Sequence, residues 1–168
     1  MKVLVLGPSG SGKTYISHTL QDVGINVFDG DDIEGLSAWY DQHWKKVPPP
    51  LTANEAINNH YSFIWDKSFL AAFLNKFPDV YIFGGSGNVF DTFELFDKIY
   101  FLKVDPELQK TRIKNSSRKN PMMDMNENSL VVWGEWFEVQ AKQRNIPFLD
   151  ASQTPAQIFN IISKSEKS

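Results

Sequence analysis

The run Gly7-Pro8-Ser9-Gly10-Ser11-Gly12-Lys13-Thr14 has the spacing G-x-x-x-x-G-K-T. Glycines at these positions let the backbone curl until successive N–H groups converge on a tetrahedral anion, Lys13 reaches toward β- and γ-phosphates, and the Thr14 hydroxyl can ligate Mg²⁺. A helix beginning at Lys13 would add the positive end of its dipole to the same cradle. All eight residues are expected to bind ATP, with Lys13 also assisting transfer and Thr14 holding Mg²⁺. Chance matches to the pattern occur, but here the flanking sequence agrees with it: the apolar run Lys2–Leu6 reads as a strand, and Ile16, Leu20 and Val23 follow at helical spacing.

A second group with chemistry to offer is Asp29, Asp31 and Asp32, at the end of a short apolar strand expected over 25–28. In a parallel sheet, the carboxyl ends of the strands next to the phosphate loop are where ligands sit. Asp31 is assigned the task of orienting or deprotonating an acceptor hydroxyl, and Asp29 that of holding Mg²⁺ through water. The same three residues also read as a turn and a helix cap, and Asp32 is expected to cap a helix starting near Ile33. Phosphoryl transfer needs alignment and cancellation of charge more than covalent chemistry. Arg118, with Lys119 as competitor, is the expected late cation, and an exposed surface arginine is the alternative. Arg112 either faces the nucleotide or makes an ordinary surface pair. Trp39, Tyr40, His43, Trp44, His60, Tyr61 and Trp65 form an aromatic-rich stretch. It can stack a base or a sugar face, although Tyr61 and Trp65, four apart on an expected helix, include at least one packing residue. His43 and His60 have no second ligand at metal-site spacing.

The elements that must position these residues alternate between strand and helix. Thr52 and Glu55 have capping-box spacing and open an expected long helix to about Phe77, after Pro48-Pro49-Pro50 has stopped what precedes. Strands are expected over 80–83, 99–104 and 147–149. Asp105-Pro106 starts one helix, and Leu130, Trp133, Phe137 and Ala141 share a face of another. Thr154 and Gln157 cap the last. The polar, proline-containing stretch 118–127 reads as a mobile lid that closes over bound triphosphate. This alternation predicts an α/β fold of three layers around a parallel sheet.

The 168 residues make one domain, with an acceptor-binding region over about 33–78. A formal charge of −3 from interspersed acidic and basic residues argues against a nucleic-acid partner. The chain has no cysteine, so disulfides, thiolate metal sites and thiol nucleophiles are excluded together. No apolar run approaches a membrane span, and Met1 leads into a core strand rather than a leader peptide, so a cytoplasmic monomer or small homo-oligomer is expected.

With the phosphate loop first, an acidic cluster after the second strand and an arginine-bearing loop late in the chain, the sequence resembles the small P-loop kinases, the group of shikimate, gluconate and adenylate kinases. The resemblance spans nearly the whole chain and implies five parallel strands in the order 2-3-1-4-5. Asp29-Gly30-Asp31 is similar to a D-x-D segment whose first carboxylate serves Mg²⁺ and whose second meets the acceptor. Gly84-Gly85-Ser86 resembles a triple-glycine turn that approaches the acceptor, and Arg112 and Arg118 look like the paired base and lid arginines. The turn from Asp150 to Pro155 resembles one that frames adenine, which implies contact from Pro155. There are two departures. The third strand runs into Gly84 rather than an aspartate, and no arginine precedes Arg112. The two-pronged grip on a carboxylate or phosphate acceptor is an arginine speciality. The resemblance, so modified, implies ATP- and Mg²⁺-dependent phosphorylation of a small, neutral, nucleoside- or sugar-like acceptor. The rival expectation is a regulatory nucleotide binder that hydrolyses slowly.

Overall fold

The computed structural model describes residues 1–116 and 127–164. Its centre is a parallel sheet, because the apolar runs expected to be strands are buried on both faces. In β1 (Lys2–Leu6), residues Val3 to Leu6 are fully buried, and in β6 (Val80–Phe83) all four residues are buried. Alternate residues of β1 feed opposite layers. Leu4 and Leu6 join Leu70, Leu74, Val89, Phe101 and Ala141 on one side, while Val3 and Val5 join Ile16, Leu20, Ile158 and Ile162 on the other. The first layer is covered by α3 (Lys67–Leu74) and α5 (Glu127–Gln143), the second by α1 (Lys13–Asp22) and α6 (Pro155–Ile162). The fold is α/β, three layers deep, as the sequence predicts.

The remaining strands of this sheet are β2 (Val27–Asp29), β7 (Lys98–Lys103) and β8 (Phe148–Asp150), each displaced by a residue or two from its expected bounds. The order is β2-β6-β1-β7-β8, all parallel. In chain-wide numbering this differs from 2-3-1-4-5. The difference arises because β3 (Ser37–Tyr40), β4 (Lys46–Val47) and β5 (Ser62–Trp65) leave the sheet, and the five parallel strands counted among themselves stand 2-3-1-4-5.

Those three strands are the main correction. The expected long helix from Thr52 to about Phe77 is three elements: α2 (Ala53–Asn58), β5 (Ser62–Trp65) and α3. Thr52 does cap α2, accepting from the Glu55 N–H at 3.1 Å. The helix then ends at Asn59, and His60 takes a left-handed φ of 53° that turns the chain. Ser62-Phe63-Ile64-Trp65 pairs antiparallel with β3 (Ser37–Tyr40), and β3 pairs with β4 (Lys46–Val47). Trp39 packs on Phe63 at 5.3 Å between ring centroids. The β3–β4 turn is tied by Asp41, whose carboxylate accepts from the N–H groups of Lys45 and His43 and is thereby held below the usual aspartate range. Trp44, at the tip with φ 60°, is 71% exposed.

In α4 (Pro106–Lys114), Asp105 caps the first turn by accepting from Glu107 and Leu108 N–H. In α5 the inward stripe is Leu130, Gly134, Phe137 and Ala141. Trp133, expected on that face, lies one helical step off it and is 53% exposed. Thr154 and Gln157 form the expected reciprocal cap of α6. Among the described residues no helix is long and apolar enough to cross a membrane.

Candidate functional site

The phosphate loop joins β1 to α1, and its curvature comes from two glycines in left-handed conformation, Gly10 (φ 79°) and Gly12 (φ 97°), the latter at the N-cap of α1. Ser11 N–H closes the turn on Pro8 O at 3.2 Å. Lys13 Nζ lies within the same loop, donating to Gly7 O at 2.6 Å and Pro8 O at 2.8 Å.

One residue further into α1, Thr14 Oγ1 donates to Asp29 Oδ2 at 2.6 Å, which joins the phosphate loop to the end of β2. Asp29 is 4% exposed, and its other oxygen accepts from Asp31 N–H at 3.0 Å, so Asp29 caps the 3-10 turn Gly30–Asp32. A hydroxyl and a carboxylate at the head of α1 are hard oxygen donors of the kind Mg²⁺ prefers. Asp31 is exposed, on the same turn. Asp32 corrects the sequence reading. It caps no helix, because the chain turns at Ile33 and enters β3 at Ser37. It pairs instead with His18 Nε2 at 2.6 Å. His18, one turn beyond Thr14 on α1, was not singled out from sequence, although its i,i+4 spacing from Thr14 is a legible signal. Ligand atoms of His18, Asp29 and Asp32 lie within 4.8 Å of one another.

Gly30, between the two carboxylates of the D-x-D segment, and Gly84, which the resemblance assigns to acceptor approach, are occupied from within. A Cβ built on Gly30 would lie 2.5 Å from Trp65 Cζ2, and one on Gly84 would lie 3.1 Å from the same atom. Trp65 is 1% exposed, and its indole N–H has no hydrogen-bond partner among the described residues. Its backbone is held on both sides by one side chain: Trp65 N–H donates to Asn88 Oδ1 and Asn88 Nδ2 donates to Trp65 O, each at 3.0 Å. Of the aromatic stretch, Trp65 is therefore core. Gly85 has nothing within 4 Å of a built Cβ and is the open member of the pair.

On the other flank, Arg112 makes no i,i+4 surface pair among the described contacts. Its guanidinium donates to Ser11 O at 2.9 Å and to Ala151 O at 3.1 Å, bridging the phosphate loop to the turn after β8. Pro155 occupies the first turn of α6 beyond that bend, where Asp150 accepts from the Ser152 N–H and hydroxyl. Those bonds hold the Asp150 carboxyl below its ordinary range. Arg118, Lys119 and the expected lid up to 126 lie outside the described residues, and position 127 begins α5. Lys67, at the start of α3, pairs with Glu94 at 2.9 Å. His43 and His60 are exposed and belong to no metal-ligating cluster among the described residues.

No family model matches the chain, and no curated protein matches its sequence. Solved structures do match its fold. A shikimate kinase from Acinetobacter baumannii in complex with shikimate has TM-score 0.57 at 16% identity, covering 99% of this chain and 95% of that one. A deoxyadenosine kinase from M. mycoides with bound dATP has TM-score 0.54 at 16% identity, covering 97% of both chains. An unliganded sugar kinase from a Janibacter species has TM-score 0.53 at 20% identity, covering 95% and 90%. The chain has the fold of the small P-loop kinases over nearly its whole length.

Proposed function

We propose that this protein is an ATP- and Mg²⁺-dependent kinase that phosphorylates a hydroxyl of a small, neutral, nucleoside- or sugar-like acceptor. The observation that carries the reading is the Thr14–Asp29 contact of 2.6 Å, which brings a hydroxyl and a carboxylate together at the head of α1 beside Lys13. Thr14 and Asp29 would hold Mg²⁺, which when bound draws negative charge from the triphosphate. Lys13 leaves the carbonyls of Gly7 and Pro8 for phosphate oxygens, and backbone N–H groups over 10–14 complete the cradle. Asp31 orients the acceptor hydroxyl and takes its proton as the acceptor oxygen bonds to the γ-phosphorus and the bond to the β-phosphate oxygen breaks, releasing ADP. Arg118 is the proposed late cation, and Arg112 and Pro155 frame the base.

The neutrality of the acceptor rests on the cations around the site. No arginine precedes Arg112, and Arg112 itself is engaged by two backbone carbonyls. A pocket with carboxylates and no guanidinium fork favours an uncharged polyol or nucleoside over its anionic analogue. The test is a paired assay of nucleosides against their monophosphates, and of neutral sugars against sugar acids, at saturating ATP and Mg²⁺. Turnover with only the anionic member of a pair refutes the acceptor class. ATP hydrolysis indifferent to every acceptor refutes the transferase reading. On a working acceptor, Asp31→Asn should lower kcat by at least about a hundredfold, within the range for a lost general base, with ATP affinity retained.

A further inference from the structure

Behind the phosphate loop, α4 reaches it with side chains that nothing in the loop motif foretells, and α5 lies close at a glycine. Gln109, on α4, is 3% exposed, and its Nε2 donates to Ser9 O at 2.8 Å. One turn along, Arg112 donates to Ser11 O at 2.9 Å. In a trans peptide the carbonyl and the next N–H point in opposite directions. Drawing the carbonyls of Ser9 and Ser11 back onto α4 therefore turns the N–H groups of Gly10 and Gly12 away from it, to the loop's other side. The contact is close: a Cβ on Gly10 would meet Gln109 O and Ile113 Cγ1 at 3.0 Å each. The Gln109 carboxamide is pressed from behind by α5, at a helical glycine. A Cβ on Gly134 would lie 3.0 Å from Pro8 Cβ and 3.1 Å from Gln109 Nε2.

We infer that Gln109 is a positioning residue for polyphosphate binding: held against the loop by Gly134, it fixes the Ser9 carbonyl and so aims the Gly10 N–H at the phosphates, with Arg112 doing the same for Gly12. The inference rests on the proposed reading of the loop as a triphosphate site. It makes Gln109 a determinant of affinity for the phosphate chain and indifferent to the base, since among the described residues its carboxamide donates to the loop backbone at Ser9 O.

The experiment uses the full chain and calorimetric titration with MgATP, MgGTP and inorganic tripolyphosphate. Gln109→Leu, which keeps bulk and removes the donor, should weaken MgATP and tripolyphosphate by the same factor, about tenfold for one lost hydrogen bond. Gln109→Glu should be weaker still, because its carboxylate faces the Ser9 carbonyl. Gly134→Ala keeps every hydrogen-bonding group and improves helix propensity. It should nevertheless weaken tripolyphosphate binding while the melting temperature moves by no more than a few degrees, because the helix-propensity gain offsets part of the crowding against Pro8 and Gln109; a merely structural role for this contact moves stability and leaves tripolyphosphate affinity alone. Wild-type affinity in Gln109→Leu overturns the inference, as does a loss confined to MgATP and absent with tripolyphosphate. If Gln109→Leu fails to fold, Gly134→Ala decides alone, and normal tripolyphosphate affinity in that variant overturns it. If the wild-type chain binds none of the three ligands, the triphosphate reading of the loop fails and the inference falls with it.

Discussion

Gly30→Ala adds a single methyl group at the turn between the two proposed functional carboxylates, and its cost can be worked from one contact. The new Cβ would stand 2.5 Å from Trp65 Cζ2, about an ångström inside ordinary van der Waals range. The indole is poorly placed to yield. Trp65 is 1% exposed and its backbone is held at 3.0 Å on both sides by Asn88, so either the ring leaves its rotamer or the turn over residues 29–31 moves. Overpacking of this kind costs about 1–3 kcal/mol. In a domain of this size that lowers the melting temperature by roughly 2–12 °C. The control is Gly85→Ala, the same chemical change where a Cβ meets nothing within 4 Å, which should stay within about 0.5 kcal/mol of wild type. Urea unfolding of wild type, Gly30→Ala, Gly85→Ala, Trp65→Phe and the double variant Gly30→Ala with Trp65→Phe measures the effect and its source. Trimming the ring should make the added methyl group nearly harmless, giving a non-zero coupling energy between the two sites. Equal midpoints for Gly30→Ala and Gly85→Ala, or additive effects of Gly30→Ala and Trp65→Phe, refute the assignment of Gly30 as the space for Trp65.

Further outcomes are expected on the same grounds. Lys13→Ala should abolish most MgATP affinity in calorimetry while circular dichroism stays native, because Lys13 Nζ donates to the carbonyls of Gly7 and Pro8 within the loop and lies outside the apolar core; unchanged binding removes the basis of the nucleotide reading. Asp29→Asn should leave the Thr14 contact an acceptor oxygen but raise the Mg²⁺ concentration needed for half-maximal turnover by about tenfold or more, and an unshifted Mg²⁺ titration counts against Asp29 as a metal ligand. Partial burial pushes the Glu138 carboxyl up, but Lys142 at 2.8 Å and Lys103 at 3.2 Å outweigh it and hold the group below the ordinary glutamate range. The folded chain then binds fewer protons than the unfolded one, so this contribution is full above the ordinary glutamate pKa of about 4.3 and fades as pH falls through the lower folded value. Melting curves of Glu138→Gln should therefore lose less stability between neutral and acid pH than wild type, and parallel pH profiles reject the coupling.

What was legible in the sequence is what short-range rules govern. The phosphate loop, the strands beside it, and the caps at Thr52, Asp105 and Thr154 are set by motifs a few residues long. The pairing of Thr14 with Asp29 was expected only as a shared task for Mg²⁺, and the structure supplies the direct hydrogen bond. The stretch from 52 to 77 misled because Ile57, Tyr61, Ile64 and the apolar residues beyond satisfy a helical period, while Ser62-Phe63-Ile64-Trp65 equally suits a strand. Periodicity cannot arbitrate between the two over so short a run. The deciding facts are the left-handed His60 and the pairing with β3, which lies more than twenty residues away in sequence. Gln109 and Gly134 were invisible for a related reason. Their partners are the backbone of Ser9 and the ring of Pro8, and no local pattern marks a side chain that serves a distant main chain.

The Asn88 carboxamide offers Trp65 one donor and one acceptor in a plane, the same pair a neighbouring strand would offer. Apart from the covalent chain, the antiparallel sheet is moored to the loop after β6 by that amide and by the Gly87 N–H on Phe63 O at 2.7 Å, while the phosphate loop is secured on the opposite flank by α4 and α5. The two halves of the molecule thus have separate anchorages. Segments over 37–65 can diverge or be exchanged between homologous scaffolds as long as residue 88 keeps its amide and a flat ring still fits over Gly30 and Gly84. The half that carries the phosphate loop need not register the change, which on the proposed reading gives this architecture a physical route to new acceptors without rebuilding its phosphate chemistry.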